Sequence, residues 1–154
     1  MSEERLRSVA IDEASLPPLS REQEHERRVA VSDLLRENSF RPTDAVAGPY
    51  DLRLSLVDGR LALDIAGADY ERRHILSLTG FRTVIKDYFL VCDSYNSAVR
   101  TSSPTQIEAL DMGRRGLHNE GSDRLRERLA DKVAIDHSTA RRLFTLICAL
   151  YRRL

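Results

Sequence analysis

The chain has 154 residues, 42% of them apolar and 31% charged, which fits one folded domain and excludes disorder throughout. Its 24 basic and 24 acidic side chains cancel, so an indiscriminate polyanion binder is excluded while a local anion site is not. The basic set is 22 arginines with only Lys86 and Lys132, and it is unevenly spread: residues 1–79 carry net −4 and residues 80–154 net +4. Such a dipolar division suits self-association as a homo-oligomer, or an anionic ligand on the C-terminal half.

The two cysteines, Cys92 and Cys148, form no C-x-x-C pair and sit in apolar helical patterns, as reduced thiols do. Residues 1–5 lack the apolar core of a secretory signal, and no apolar run is long enough to span a bilayer. The expectation is a cytoplasmic protein, one domain over residues 1–154 with residues 1–4 flexible, and no membrane partner.

In chain order, Arg5 to Ile11 alternate as a short opening strand, and Ser20 with Gln23 forms a capping-box pattern for a helix of about 18 residues. Asn38 is placed to end that helix in the left-handed conformation, before an irregular loop with Pro42, Gly48 and Pro49. Leu52, Leu54 and Leu56 alternate with polar residues, as do Leu61, Leu63 and Ile65, around a two-residue Asp58-Gly59 turn. The resulting 50–66 hairpin sets all six apolar side chains on one face and Arg53 opposite Asp64 on the other, where an ion pair is predicted. A third strand follows at about His74 to Leu78.

Between Gly80 and Arg100, apolar residues at three- and four-residue steps predict a long core helix covering the hairpin. Ser103-Pro104 opens a further helix, which Gly113 and Gly116 are expected to break, and Ser122 caps another that runs to about Ala130. Lys132 to Asp136 reads as a strand and Ser138 to Arg153 as an apolar final helix. The predicted class is α+β: a small antiparallel sheet packed against helix 80–100 and further helices.

The chemistry concentrates in Asp111-Met112-Gly113-Arg114-Arg115-Gly116-Leu117-His118-Asn119-Glu120-Gly121-Ser122, read as a glycine-punctuated loop. Arg114 and Arg115, with Asn119, are candidate ligand-binding residues, since guanidinium forks match carboxylate and phosphate. His118 and Glu120 are the candidate catalytic pair, able to exchange protons near neutral pH. Lys86, Asp87 and Asp93 are polar positions on the core helix, where a Lys86–Asp93 pair or a solvated Lys86 are the options. Glu22 and His25 have the spacing of carboxylate-bridged metal sites but no second motif, so neither metal nor cofactor is predicted. Nucleic acid is disfavoured, because Glu127 interrupts the Arg124, Arg126 and Arg128 series and no aromatic residues interleave.

Glu37-Asn38-Ser39-Phe40, Lys86-Asp87-Tyr88-Phe89 and the run from Asp111 to Ser122 resemble a small uncharacterised family of alphaproteobacterial proteins, over about residues 25–151. The resemblance implies a bacterial, cytoplasmic origin and brings no assigned activity. Two readings of function follow from the residues. The first is a nonenzymatic binding or regulatory module whose Asp111 to Ser122 segment contacts a protein or a small anionic ligand. The second is a small enzyme acting on a phosphorylated or carboxylated metabolite, with Arg114 and Arg115 holding the anion and His118 and Glu120 as base and acid.

Overall fold

The leucine alternation of the hairpin sets the register of the main sheet. In the computed structural model, which describes residues 3–45 and 47–151, strands β3 (Tyr50–Val57) and β4 (Arg60–Gly67) pair antiparallel with Leu52 opposite Ile65, Leu54 opposite Leu63 and Leu56 opposite Leu61. Asp58 and Gly59 adopt φ of 53° and 74°, the positive values that a type I′ turn requires. Five of the six apolar side chains are buried, Leu56 partly so. Arg53 does stand opposite Asp64, but Asp64 is taken from the other side by Arg73 of strand β5 (Tyr70–Leu76), at 2.6 and 2.9 Å. Arg53 turns instead to Asp12, 3.5 Å away.

Strand β1 (Leu6–Ile11) lies on the outer side of β3 and runs parallel to it, so the four-stranded sheet, ordered β1-β3-β4-β5, is mixed rather than antiparallel. The cause is helix α1 (Arg21–Arg36), which lies between the two strands in the chain and carries it back so that β3 runs in the direction of β1. The capping box at its start is present: Gln23 N donates to Ser20 Oγ (3.2 Å) and Ser20 N to Gln23 Oε1 (3.0 Å).

The end of α1 departs from expectation. No left-handed residue closes it; Glu37 is extended, and Asn38 stops the helix with its side chain, donating Nδ2 to Leu34 O while Oδ1 accepts from Leu6 N. The following loop contains strand β2 (Phe40–Pro42), which pairs with strand β6 (Val133–Ile135) in a second, two-stranded sheet. Of the N-terminal residues expected to be flexible, Met1 and Ser2 fall outside the described range, and the Glu4 carbonyl accepts from Phe40 N at 2.9 Å.

Helix α2 (Arg82–Thr101) buries only Val84, Ile85 and Ala98, while Leu90 and Val99 are exposed. It joins the core through Val84 and Ile85, with partly buried Tyr88 and Phe89 packed against the same cluster. The central helix is α4 (His137–Tyr151), with nine buried residues from Thr139 to Tyr151; positions beyond Tyr151 in the predicted final helix lie outside the described range.

Helix α3 (Pro104–Leu129) is the largest correction. It runs unbroken through Gly113, Gly116 and Ser122, where a break and a new cap were expected. Three glycines in 26 residues, Gly113, Gly116 and Gly121, cost about 1 kcal/mol each, which the packing of α3 against α2 and α4 outweighs. Ser122 is fully buried and returns its hydroxyl to the His118 carbonyl at 2.7 Å, the bond of a helix interior. No described helix is long and apolar enough to cross a membrane.

Candidate functional site

On an unbroken helix, residues 114, 115 and 118 share one side, at spacings of one and four. Helix α4 repeats that spacing with Arg141, Arg142 and Thr145. The two triplets meet. Together with Tyr88 of α2, these six residues line a cleft of about 350 Å³ whose floor is His118 against Thr145 and whose walls are two arginine pairs.

Close approach of the two helices depends on Gly121, one turn beyond His118 and packed against the Phe144 ring. His118 is buried between Tyr88 and Phe144, with ring centroids 5.4 and 5.2 Å away in edge contacts. Its Nε2 lies 2.7 Å from Thr145 Oγ1 and its Nδ1 3.4 Å from Ser122 Oγ. Both hydroxyls already donate to carbonyls, Ser122 to His118 O and Thr145 to Arg141 O. The ring proton therefore belongs on Nε2, donating to Thr145 Oγ1, which gives every proton an acceptor. Burial first, and the Arg141 cation second, push the His118 pKa down to about 4. The imidazole is neutral across physiological pH.

Each arginine of the cleft has a polar partner that fixes part of its side chain. Arg114 pairs with Asp111 and lies over the Tyr95 ring, 4.3 Å from its centroid; Arg115 reaches the same carboxylate at 3.1 Å and is otherwise 71% exposed. Arg141 Nη1 donates to Asn119 Oδ1, and Arg142 Nη1 to the Glu37 carbonyl at the end of α1. Among the described residues, Asp111 is the only carboxylate paired with any of the four guanidinium groups. Most of their N–H donors, five on each guanidinium, have no partner among the described residues.

The structure thus gathers Arg114, Arg115 and His118 but separates the other candidates. Asn119 lies outside the cleft lining and positions Arg141 through its amide oxygen. Glu120 is two residues from His118, about 200° around the helix. It is exposed and bonded to Arg124 at 3.2 Å, so no His118–Glu120 proton couple is assembled. Arg141 and Arg142 were missed because the final helix reads as core; the signal that finds them is the repeated Arg-Arg-x-x spacing shared with residues 114–118. The arginines of the Arg124, Arg126 and Arg128 series serve the fold: Arg124 donates to Gly80 O, Arg126 Nε to Ile135 O at 3.0 Å, and Arg128 lies over Phe81. Among the described residues, no group of three or more His, Cys, Asp or Glu side chains is placed to hold a metal ion.

A family model described as an uncharacterised protein family, UPF0262, matches residues 3–153. The chain belongs to this family. A UPF0262 protein of Caulobacter vibrioides is 67% identical over 149 residues, covering 97% of this chain and 94% of its own. Those of Phenylobacterium zucineum and Agrobacterium fabrum are 61% and 53% identical, each over 97% of this chain and over 94% and 96% of their own. No solved structure matches. Membership in UPF0262 agrees with the resemblance carried by the Asp111 to Ser122 run and brings no activity with it. Within this UPF0262 chain that run is the middle of α3: Arg114, Arg115 and His118 line the cleft, Asn119 and Glu120 are exposed outside it, and Ser122 is buried.

Proposed function

We propose that the protein is a nonenzymatic, cytoplasmic binding module that captures a small, multiply charged anion, phosphorylated or polycarboxylated, in the cleft between α3 and α4. The observation that carries this reading is the convergence of Arg114, Arg115, Arg141 and Arg142 on one cleft with a single paired carboxylate, Asp111. Four guanidinium groups held from two rigid helices form a preorganised set of planar forks, the arrangement that favours bidentate capture of phosphate or carboxylate oxygens. His118 supports the site as a neutral floor that fixes Thr145, and its pKa of about 4 makes it a weak base at neutral pH. Cys92 on α2 and Cys148 on α4 stand as thiols rather than as a disulfide, which supports the reducing compartment.

Isothermal titration of the full chain with pyrophosphate and with citrate at low ionic strength tests the reading. Saturable binding of either anion is expected, weakened about tenfold or more, roughly 1.4 kcal/mol, in the Arg141→Gln, Arg142→Gln double variant. Equal affinity in the wild type and the double variant removes the cleft from consideration.

A further inference from the structure

Helix α2 carries a second pair of cations on a different face of the molecule. Arg82 and Lys86 are one turn apart, and Phe89 and Asp93 continue the same side of the helix. These four, with Ile85 and Leu90 beside them, line a cavity of about 210 Å³ that is completed by Leu78 ahead of α2 and Tyr151 at the end of α4. It shares no lining residue with the arginine cleft.

Two facts set this cavity apart from an ordinary surface dip. Tyr151 is 5% exposed, and its hydroxyl is closed off from solvent without a hydrogen-bond partner among the described residues. A buried phenol normally finds an acceptor, and a small turn of the Tyr151 ring toward the cavity would bring its hydroxyl to an acceptor atom held there. Burial raises the Tyr151 pKa and Arg82 opposes that rise, so the Arg82 cation acts on the phenol across the cavity. Second, the Arg82 and Lys86 side chains make no ion pair or side-chain hydrogen bond among the described residues, although one acidic residue, Asp93, belongs to the same lining. Between the charged ends lies an apolar floor of buried Leu78 and Ile85 with partly buried Phe89.

We propose that this cavity is a binding site for a small monocarboxylate with an apolar, ring-sized body. The carboxylate lies on Arg82 and Lys86 and accepts from the Tyr151 hydroxyl, and the body covers Ile85 and Phe89. A cavity of about 150 Å³ holds benzene, so the volume suits one ring or a branched aliphatic chain. Asp93 stands two helical turns beyond Lys86, about 10 Å along the axis, and repels a second negative charge at that end. The site is therefore selective for a single anionic head, unlike the arginine cleft, and does not depend on it.

The test is titration of the full chain with phenylacetate, neutral phenylacetamide and glutarate, followed by amide chemical shifts. Phenylacetate is expected to give saturable shifts confined to residues 78–93 and the end of α4, with a Kd below about 5 mM and at least about fivefold tighter than phenylacetamide or glutarate. Arg82→Gln with Lys86→Gln, both exposed positions, should remove that preference, and Tyr151→Phe should weaken phenylacetate while the rest of the spectrum stays folded. Arg141→Gln should leave phenylacetate binding unchanged. The proposal is overturned by equal binding of phenylacetamide, by shifts centred on residues 114–118 and 141–145, or by no saturation at about 20 mM.

Discussion

The ring of Phe144 lies so close over Gly121 that a β-carbon built on the glycine would stand within 2.6 Å of three ring carbons. This contact explains why a glycine-rich run, which by itself reads as a loop, persists as helix: the missing side chain is what lets α4 seat on α3. Gly121→Ala should therefore destabilise the protein by about 1–3 kcal/mol through overpacking. Gly116, also inside α3, meets nothing within 4 Å, and Gly116→Ala should stabilise by about 0.5–1 kcal/mol through the lower entropy of the unfolded chain. Urea denaturation of the two variants is the check; opposite signs are the signature of a continuous helix, whereas a loop at Gly116 would give little gain.

Much of the fold could be read in the sequence wherever a local pattern has one physical solution. The Asp58-Gly59 turn and the leucine alternation force one register, and Ser20 with Gln23 forces a helix start. Where the chain failed to announce its structure, a distant contact decided. The parallel pairing of β1 follows from α1 bringing the chain back, and β2 exists only because β6 pairs with it from 90 residues away. Gly113 and Gly116 carry a breaking signal that packing overrides. The site was half legible for the same reason: Arg114, Arg115 and His118 are clustered in sequence, whereas Arg141 and Arg142 join them only through the α3–α4 contact that Gly121 permits.

Arg114 and Arg115 are adjacent but should separate in stability measurements. Arg114 is partly buried, paired with Asp111 and laid over Tyr95, so Arg114→Ala should cost about 1 kcal/mol in addition to weakening anion binding. Arg115→Ala should weaken binding and leave the melting temperature essentially where it was, because its side chain is largely solvated. Thermal melts run with and without pyrophosphate distinguish the two effects.

Helix α1 begins with a nearly all-charged turn that contributes little to the core, so its start depends on the reciprocal Ser20–Gln23 cap. Ser20→Ala should cost about 1 kcal/mol, and hydrogen exchange should rise first at the amides of residues 21–24.

His118 makes stability depend on acid pH in a direction set by its environment. The unfolded imidazole titrates near 6.5 and the folded one near 4, so between those values the unfolded chain binds the extra proton. The His118 contribution is therefore fully present above pH 6.5 and is lost as pH falls through that window, by about 3 kcal/mol in total. His118→Gln keeps a neutral polar group beside Thr145 and should flatten this part of the stability profile, while acid loss from depressed carboxylates such as Asp64, held down by Arg73, persists below it. An anion bound in the cleft would oppose the Arg141 field at His118 and raise its pKa, so histidine ring signals followed by NMR should titrate at higher pH with pyrophosphate present. An unchanged His118 titration at saturating pyrophosphate would mean that the anion binds elsewhere, because a charge beside Arg141 cannot leave the imidazole 2.7 Å from Thr145 unaffected.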